Sequence, residues 1–256
     1  MNAMIFAAGL GTRLKPFTDT HPKALLPLAG KPLLQWQIEQ LHTAGITDIV
    51  VNVHHHAEQI IDYLQSHDFG CRIRISDERT ALLDTGGGLC KAMHEAAADT
   101  DNTPWLVCNV DILSNIRLPQ FIQSHRSDDL ATLVVSQRQT QRYLLFDADQ
   151  RLKGWTNIAT GELRPQTLSP DVSKQYQPLA FSGMQIVSPR LLCYMDEVAK
   201  EKGDKFSLID LYLAICEHHS EEVLRAYVPA DYRMMDVGKT AQLKDAERFA
   251  EQLTIQ

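Results

Sequence analysis

The chain has 256 residues, 44% of them hydrophobic and 22% charged, enough apolar material to bury a sizeable core within a single domain. A formal net charge of −7 and a sequence pI of 5.8 argue against a general nucleic-acid or membrane-surface binder, since no broad basic excess is available to meet a polyanion. No apolar run approaches the about 20 residues of a membrane span and no leader pattern is seen, while Cys71, Cys90, Cys108, Cys193 and Cys216 are scattered without metal-ligand spacing. A cytoplasmic protein with reduced, core-type thiols is therefore expected.

Ala3 to Phe6 reads as a buried first strand. The segment leaving it, Ala7-Ala8-Gly9-Leu10-Gly11-Thr12-Arg13-Leu14-Lys15-Pro16 and then Pro22-Lys23-Ala24-Leu25-Leu26-Pro27, should be a loop at the strand's carboxyl end, where open α/β sheets bind ligands. Its residue types suit a triphosphate. Gly9 and Gly11 let backbone N–H groups approach anionic oxygens, Arg13 offers a planar fork, and Lys23 offers a point charge. The loop is not a dinucleotide fingerprint, because position 14 is leucine and the second strand ends in Asn52 and His54 without an acid. Nor does it contain the Gly-Lys-Ser/Thr of a Walker A loop.

Pro32 suits the first turn of a helix whose apolar face is Leu33, Leu34, Trp36, Ile38 and Leu41, with Gly45 as its stop. Asp48 to Val53 is a second buried strand. The three histidines after it, His54, His55 and His56, point in different directions, which favours a polar strand-to-helix turn over a metal site. A helix over Ala57 to Leu64 and a strand over Cys71 to Ile75 follow. Glu78 and then Leu83-Asp84-Thr85-Gly86-Gly87-Gly88-Leu89 precede a helix reaching about Ala97. Three glycines ahead of a helix remove side chains where something flat or anionic lies on backbone, unless they form only a flexible turn.

Trp105 to Asp111 is a nearly continuous apolar run, the mark of a strand buried on both faces, and it delivers Asp111 to the ligand side of the sheet. A helix around Leu118, Phe121 and Ile122 and a strand over Leu130 to Ser136 come next. From Arg142 to about Pro178, short β segments (Tyr143 to Phe146, Arg151 to Trp155) alternate with polar turns, as in a small inserted wall. Arg142, Lys153, Arg164 and Lys174 stand there, as sugar-phosphate partners or as solvated surface charges. A strand over Leu179 to Val187, helices over Arg190 to Ala199 and Phe206 to Cys216, and an extended Val223 to Val228 lead to Arg233-Met234-Met235-Asp236-Val237-Gly238-Lys239-Thr240. An amphipathic helix, Ala241 to Leu253, is the last predicted element.

The opening loop resembles the G-x-G-T-R-L-x-P and P-K-x-L-x-P signature of sugar-1-phosphate nucleotidyltransferases, enzymes of the NDP-sugar pyrophosphorylase type. Asn109-Val110-Asp111 is similar to that family's N-G-D, with valine for glycine. Phe181-Ser182-Gly183-Met184 is similar to its F-S/T-G-I/V. The Asp236 segment is similar to its W-x-D-V/I-G-T, with Met234 for tryptophan and Lys239 before the threonine. Asp84-Thr85-Gly86-Gly87-Gly88 most resembles bacterial enzymes similar to N-acetylmuramate-1-phosphate uridylyltransferase.

The resemblance runs from Ala3 to about Thr240 and implies an α/β fold, a Rossmann-like, mixed, mostly parallel sheet flanked by helices, with a small β insertion on the acceptor side. It implies that an NTP, UTP or GTP, condenses with a sugar 1-phosphate to give an NDP-sugar and pyrophosphate. Arg13 and Lys23 are the implied catalytic pair, and Asp111 and Asp236 the implied ligands of Mg²⁺. Ala7, Ala8, Gly9, Gly11, Thr12, Glu78, Thr85, Gly86 and Gly87 would line the nucleotide, and Asn109, Gly183 and Arg142 the sugar phosphate. Residues 1–136 would form the nucleotide-binding part and 137–256 the sugar-phosphate part of one domain. Gly87→Val is expected to block the base with the fold intact. UTP with N-acetylmuramate 1-phosphate or a related hexosamine 1-phosphate is the leading pair. A mannose- or heptose-1-phosphate guanylyltransferase, and behind it a non-catalytic nucleotide-sugar-binding subunit, are the alternatives.

Overall fold

The computed structural model describes residues 1–97, 102–238 and 240–254. Strands β1 (Asn2–Phe6), β4 (Asp48–Val53), β5 (Arg72–Asp77) and β6 (Trp105–Asn109) alternate with helices α1 (Leu33–Thr43), α2 (Ala57–Ser66) and α3 (Asp84–Ala96), with the two-residue strands β2 (Pro27–Leu28) and β3 (Lys31–Pro32) paired between β1 and α1. Next come β7 (Ile112–Ser114), α4 (Leu118–Ser124), β8 (Asp129–Ser136), β9 (Arg142–Phe146), β10 (Leu152–Asn157), β11 (Glu162–Arg164) and the single turn α5 (Pro170–Ser173). The chain then continues through β12 (Gln177–Val187), α6 (Leu191–Lys202), α7 (Leu208–His218), β13 (Val223–Tyr227), β14 (Met234–Asp236) and α8 (Leu243–Thr254).

The central sheet runs β5-β4-β1-β6-β12-β8-β13 and is parallel except where β12 lies between β6 and β8. This is the expected mixed, mostly parallel arrangement flanked by helices. The small β insertion is also present: β9, β10 and β11 form an antiparallel extension joined to the sheet through Gln177 to Leu179 of β12. Among the described residues, no helix is long and apolar enough to cross a membrane.

Side chains on successive strand positions point to opposite faces, and the sequence uses this to build two cores. Ala3, Ile5, Val51, Leu106 and Cys108 join Leu34, Ile38, Ile60, Ala246 and Ala250 on one face. Met4, Val50, Trp105, Val107 and Leu133 join Leu89, Met93, Met195, Leu211 and Tyr212 on the other. Each fully buried aliphatic or aromatic side chain contributes about 1.5–3 kcal/mol, so both faces of the sheet are held strongly. Burial pushes the Cys108 thiol up to about 12 and raises the Tyr212 hydroxyl beyond its ordinary value, consistent with neutral core groups.

The glycine run departs from expectation. Gly86, Gly87 and Gly88 are buried in the first turns of α3 instead of forming a loop ahead of it. The α6–α7 connection packs against them. The Phe206 carbonyl accepts from Gly86 N–H at 2.8 Å and Gly87 N–H at 3.3 Å, and Thr85 Oγ1 accepts from Leu208 N–H at 3.0 Å. A Cβ on Gly87 would overlap the Asp204 carbonyl, and one on Gly88 would lie 2.7 Å from Glu78 Oε1. Other parts of the protein fill the space beside these glycines: the Phe206 ring at Gly86, the Asp204 backbone at Gly87 and the Glu78 carboxylate at Gly88. Gly87→Val is therefore expected to disturb the fold, destabilising it by about 1–3 kcal/mol as overpacking does. Urea unfolding measures this, and a wild-type midpoint would show that the connection is not seated on α3.

Candidate active site

At the end of β1 the chain does not leave its backbone donors free. Ala7 and Ala8 N–H groups both donate to the buried Asn52 Oδ1, at 2.7 and 3.3 Å. Asn52 Nδ2 donates at 2.7 Å to Glu78 Oε1, and Glu78 Oε2 accepts from Leu83 N–H at 3.1 Å. Glu78 is itself buried, so its carboxylate is held by neighbours in place of water. One polar chain thus links the first loop, β4, the end of β5 and the start of α3.

Beyond Ala8 the loop opens to solvent at Gly9 and Leu10 and then turns at Gly11, whose φ of +62° favours glycine. The Gly11 carbonyl accepts from Leu14 N–H and from Thr18 Oγ1, both at 2.9 Å, folding the segment back on itself. Thr12 and Arg13 remain at the surface, while Lys23 lies against Gly11, its side chain only 10% exposed.

The acidic side is assembled by a ribbon with no clear sequence signal. β6 stops at Asn109, so Asp111 lies in a turn instead of ending the strand, and the chain continues directly into β7. β7 pairs antiparallel with β14, Ile112 opposite Asp236 and Ser114 opposite Met234. Val237 N–H donates to the Asp111 carbonyl at 2.8 Å, and Asn115 N–H donates to the Arg233 carbonyl at 3.1 Å, extending the ladder at both ends. From α1, Gln37 and Gln40 donate to the Ile112 and Ser114 carbonyls at 2.6 and 3.3 Å.

That register brings the two distant acids to the two basic groups. Lys23 Nζ pairs with Asp111 Oδ2, and Arg13 Nη2 lies 4.0 Å from Asp236 Oδ2. The two pairs differ in kind: Lys23 and Asp111 are largely buried, whereas the Arg13 and Asp236 side chains are 56% and 46% exposed and contribute little to stability. A Cβ on Gly238 would lie 2.8 Å from the Arg13 guanidinium, so the guanidinium rests on the backbone just after Asp236.

The site has the donors a hard divalent cation requires. Asp236 Oδ1 is buried without a hydrogen-bond partner, and a buried acceptor left in that state needs another occupant. Carboxylate oxygens suit an oxygen-seeking ion that keeps several waters. The histidine turn, by contrast, serves the backbone: His54 Nδ1 lies 2.7 Å from the Glu78 carbonyl and His55 Nε2 3.4 Å from the Thr18 carbonyl.

Asn109 and Gly183 flank the acid turn. Gly183 has φ +71°, and a Cβ there would come within 2.8 Å of Asn109 Nδ2 and 3.0 Å of Ile112. The Glu78 carboxylate accepts from Asn52 and Leu83, Thr85 Oγ1 accepts from Leu208 N–H, and the Gly86 and Gly87 N–H groups donate to the Phe206 carbonyl. Arg142 is exposed at the start of β9, opposite Asn157 of β10, and no hydrogen bond or ion pair among the described residues joins it to the acids. Lys239 lies outside the described residues. Asn52 is the residue whose part in holding the loop the sequence reading passed over. Its signal was a polar residue at an interior position of an otherwise apolar strand.

A loop carrying arginine and lysine, with two carboxylates brought to it, lies at the carboxyl end of the sheet, where open α/β proteins bind ligands. The chain belongs to the Nucleotidyl transferase family, which it matches over residues 2–252. It is 40% identical over 136 residues to N-acetylmuramate alpha-1-phosphate uridylyltransferase of Neisseria meningitidis, covering 49% of this chain and 57% of that protein. It is 41% identical over 112 residues to the Caulobacter vibrioides protein of the same name, covering 43% of this chain and 45% of that one. These matches thus span about half the length of the curated relatives. The fold is shared more widely: HddC from Yersinia pseudotuberculosis complexed with GMP-PN superposes with a TM-score of 0.71 at 22% identity, over 97% of this chain and 99% of that one. UDP-glucose pyrophosphorylase complexed with UDP-glucose gives 0.74 at 17% identity, over 98% of each chain.

The polar chain through Asn52 predicts a measurable cost. Asn52→Leu leaves the Ala7 and Ala8 N–H groups and Glu78 Oε1 unpartnered, while Oε2 keeps its bond from Leu83 N–H, and should destabilise the protein by about 3 kcal/mol or more, at about 1–3 kcal/mol per orphaned group. Chemical denaturation checks this, and a change below 1 kcal/mol, the low end for even one orphaned group, would mean that the loop is held by other contacts.

Proposed function

We propose that this protein is a sugar-1-phosphate nucleotidyltransferase that joins UTP to N-acetylmuramate 1-phosphate or a related hexosamine 1-phosphate, giving the UDP-sugar and pyrophosphate. The observation that carries the reading is the meeting of Arg13, Lys23, Asp111 and Asp236 at the mouth of β1 and β6. The similarity to two uridylyltransferases at 40% and 41% identity supports the choice of UTP and of the acceptor. The reading assigns the nucleotide to residues 1–136 and the acceptor to 137–256, with Asn109, Gly183 and Arg142 on the acceptor side.

In this reaction a sugar phosphate oxygen attacks the α-phosphorus as the bond to the β-phosphate oxygen breaks. That oxygen is already anionic near neutral pH, so no protein base is required. What remains is alignment and charge neutralisation. Arg13, exposed at the loop's edge, is suited to the departing β and γ phosphates. Lys23, held under the loop by Asp111, is suited to the α-phosphate and the incoming phosphate. Ala7 to Gly11 form the floor on which the nucleotide lies, kept rigid by Asn52. Asp111 and Asp236 would hold Mg²⁺, which when bound supplies positive charge to the phosphate oxygens.

Matches to mannose-1-phosphate guanylyltransferases, such as 34% identity over 128 residues to a probable rice enzyme, favour GTP with mannose 1-phosphate as the second reading. Pyrophosphate release with each of the four NTPs against a panel of sugar 1-phosphates separates the two, and no release with any pair would sink both. Lys23→Ala and Asp111→Asn should each lower kcat by about two orders of magnitude or more, the scale of losing one preorganised electrostatic group. A melting curve run beside each assay separates this loss from unfolding. Activity removed by a chelator should return with Mg²⁺.

A further inference from the structure

On the face of the sheet covered by α3, α6 and α7, one cluster has no part in the reaction above. Cys90 and His94 are one helical turn apart on α3 and so share a face of that helix, and Asp196 of α6 lies opposite them. Asp196 Oδ1 is 2.7 Å from His94 Nε2 and 3.5 Å from Cys90 Sγ, and the three donor atoms all lie within 4.8 Å of one another. Cys90 was one of the scattered thiols in the sequence. Its partner His94 lies in the same helix, but the third donor comes from α6, 102 residues beyond that histidine.

We propose that Cys90, His94 and Asp196 form a binding site for a zinc-type divalent cation that clasps α3 to α6. The donor chemistry selects the ion: thiolate, imidazole and carboxylate together suit zinc, whereas magnesium takes oxygen ligands only. The 3.5 Å between Cys90 Sγ and Asp196 Oδ1 matches the edge of about 3.5 Å expected of a tetrahedron with bonds of about 2.0 and 2.3 Å, the 2.7 Å His94–Asp196 hydrogen bond would open to about 3.3 Å on coordination, and three protein donors leave the fourth position to water. Burial and the neighbouring Asp196 push the Cys90 thiol up to about 12, so it carries a proton in the metal-free protein. Coordination would therefore form a sulfur–metal bond and release that proton to solvent.

The placement gives the clasp a consequence. α3 begins with the glycine turn on which Asp204 and Phe206 rest, and the α6–α7 connection is already tied there through Gly86, Gly87 and Thr85. A metal one turn further along α3 would add a second tie between the same two units. It would stabilise the packing without entering the Asp111 and Asp236 site.

The test uses the full chain, stripped with chelator, saturated with Mg²⁺ and titrated with Co²⁺ as a spectroscopic probe. The expected result is one equivalent of Co²⁺ bound per chain, with a thiolate-to-cobalt charge-transfer band and the intense d–d bands of a four-coordinate ion, all displaced by Zn²⁺. Cys90→Ser should abolish the charge-transfer band, and Cys193→Ser, at an exposed thiol on α6, should leave it unchanged. His94→Gln, at a side chain 53% exposed and so tolerant of change, should lower the affinity for Co²⁺. Zn²⁺ should raise the melting temperature of the wild type and not of His94→Gln. A wild type without the band, a band that survives Cys90→Ser or is lost in Cys193→Ser, or unchanged affinity in His94→Gln would each overturn the proposal.

Discussion

The candidate site depends on a short antiparallel ribbon. β7 and β14 are three residues each, yet their register, closed by the Val237 N–H to Asp111 carbonyl bond, decides whether two acids 125 positions apart (111 and 236) share a site. A slip of one residue would turn every side chain of one strand to the opposite face. So short a ribbon has little stability alone. It is secured from α1, where Gln37 and Gln40 bond its carbonyls, and through Asn115, whose side chain accepts from Arg233 N–H and donates to the Asp231 carbonyl.

The basic half is organised differently. Lys23 and Arg13 belong to one continuous loop, fixed by a buried polar chain together with the core residues Leu14, Ala24 and Leu26. Asn52 holds the Ala7 and Ala8 donors, Glu78 holds Asn52, and the Leu83 backbone holds Glu78. Such chains stabilise only when each member is satisfied, because an unpaired polar group in low dielectric is costly. The same network reaches the start of α3, so the glycine turn and the opening loop are parts of one assembly.

The two ion pairs carry different physical roles. Removing one member of the buried Lys23–Asp111 pair leaves an uncompensated charge, so the pair positions two groups at some energetic risk. The Arg13–Asp236 contact is long and solvated, which leaves the guanidinium able to leave the carboxylate for an incoming anion.

Local patterns in the chain were sufficient for the alternating strands and helices and for the approximate boundaries of β1, β4 and α1, because periodicity and residue type act over a few positions. They also marked Asp111 and Asp236 as acids of interest, through motif resemblance and not through any contact. The β7–β14 register, the engagement of the three glycines by Phe206 and Asp204, the role of Asn52 and the approach of Asp196 to Cys90 and His94 were decided by tertiary structure alone. Each joins segments far apart in sequence, and no local propensity states which distant backbone or side chain will fill a gap, since that choice is made by packing both faces of one sheet at once.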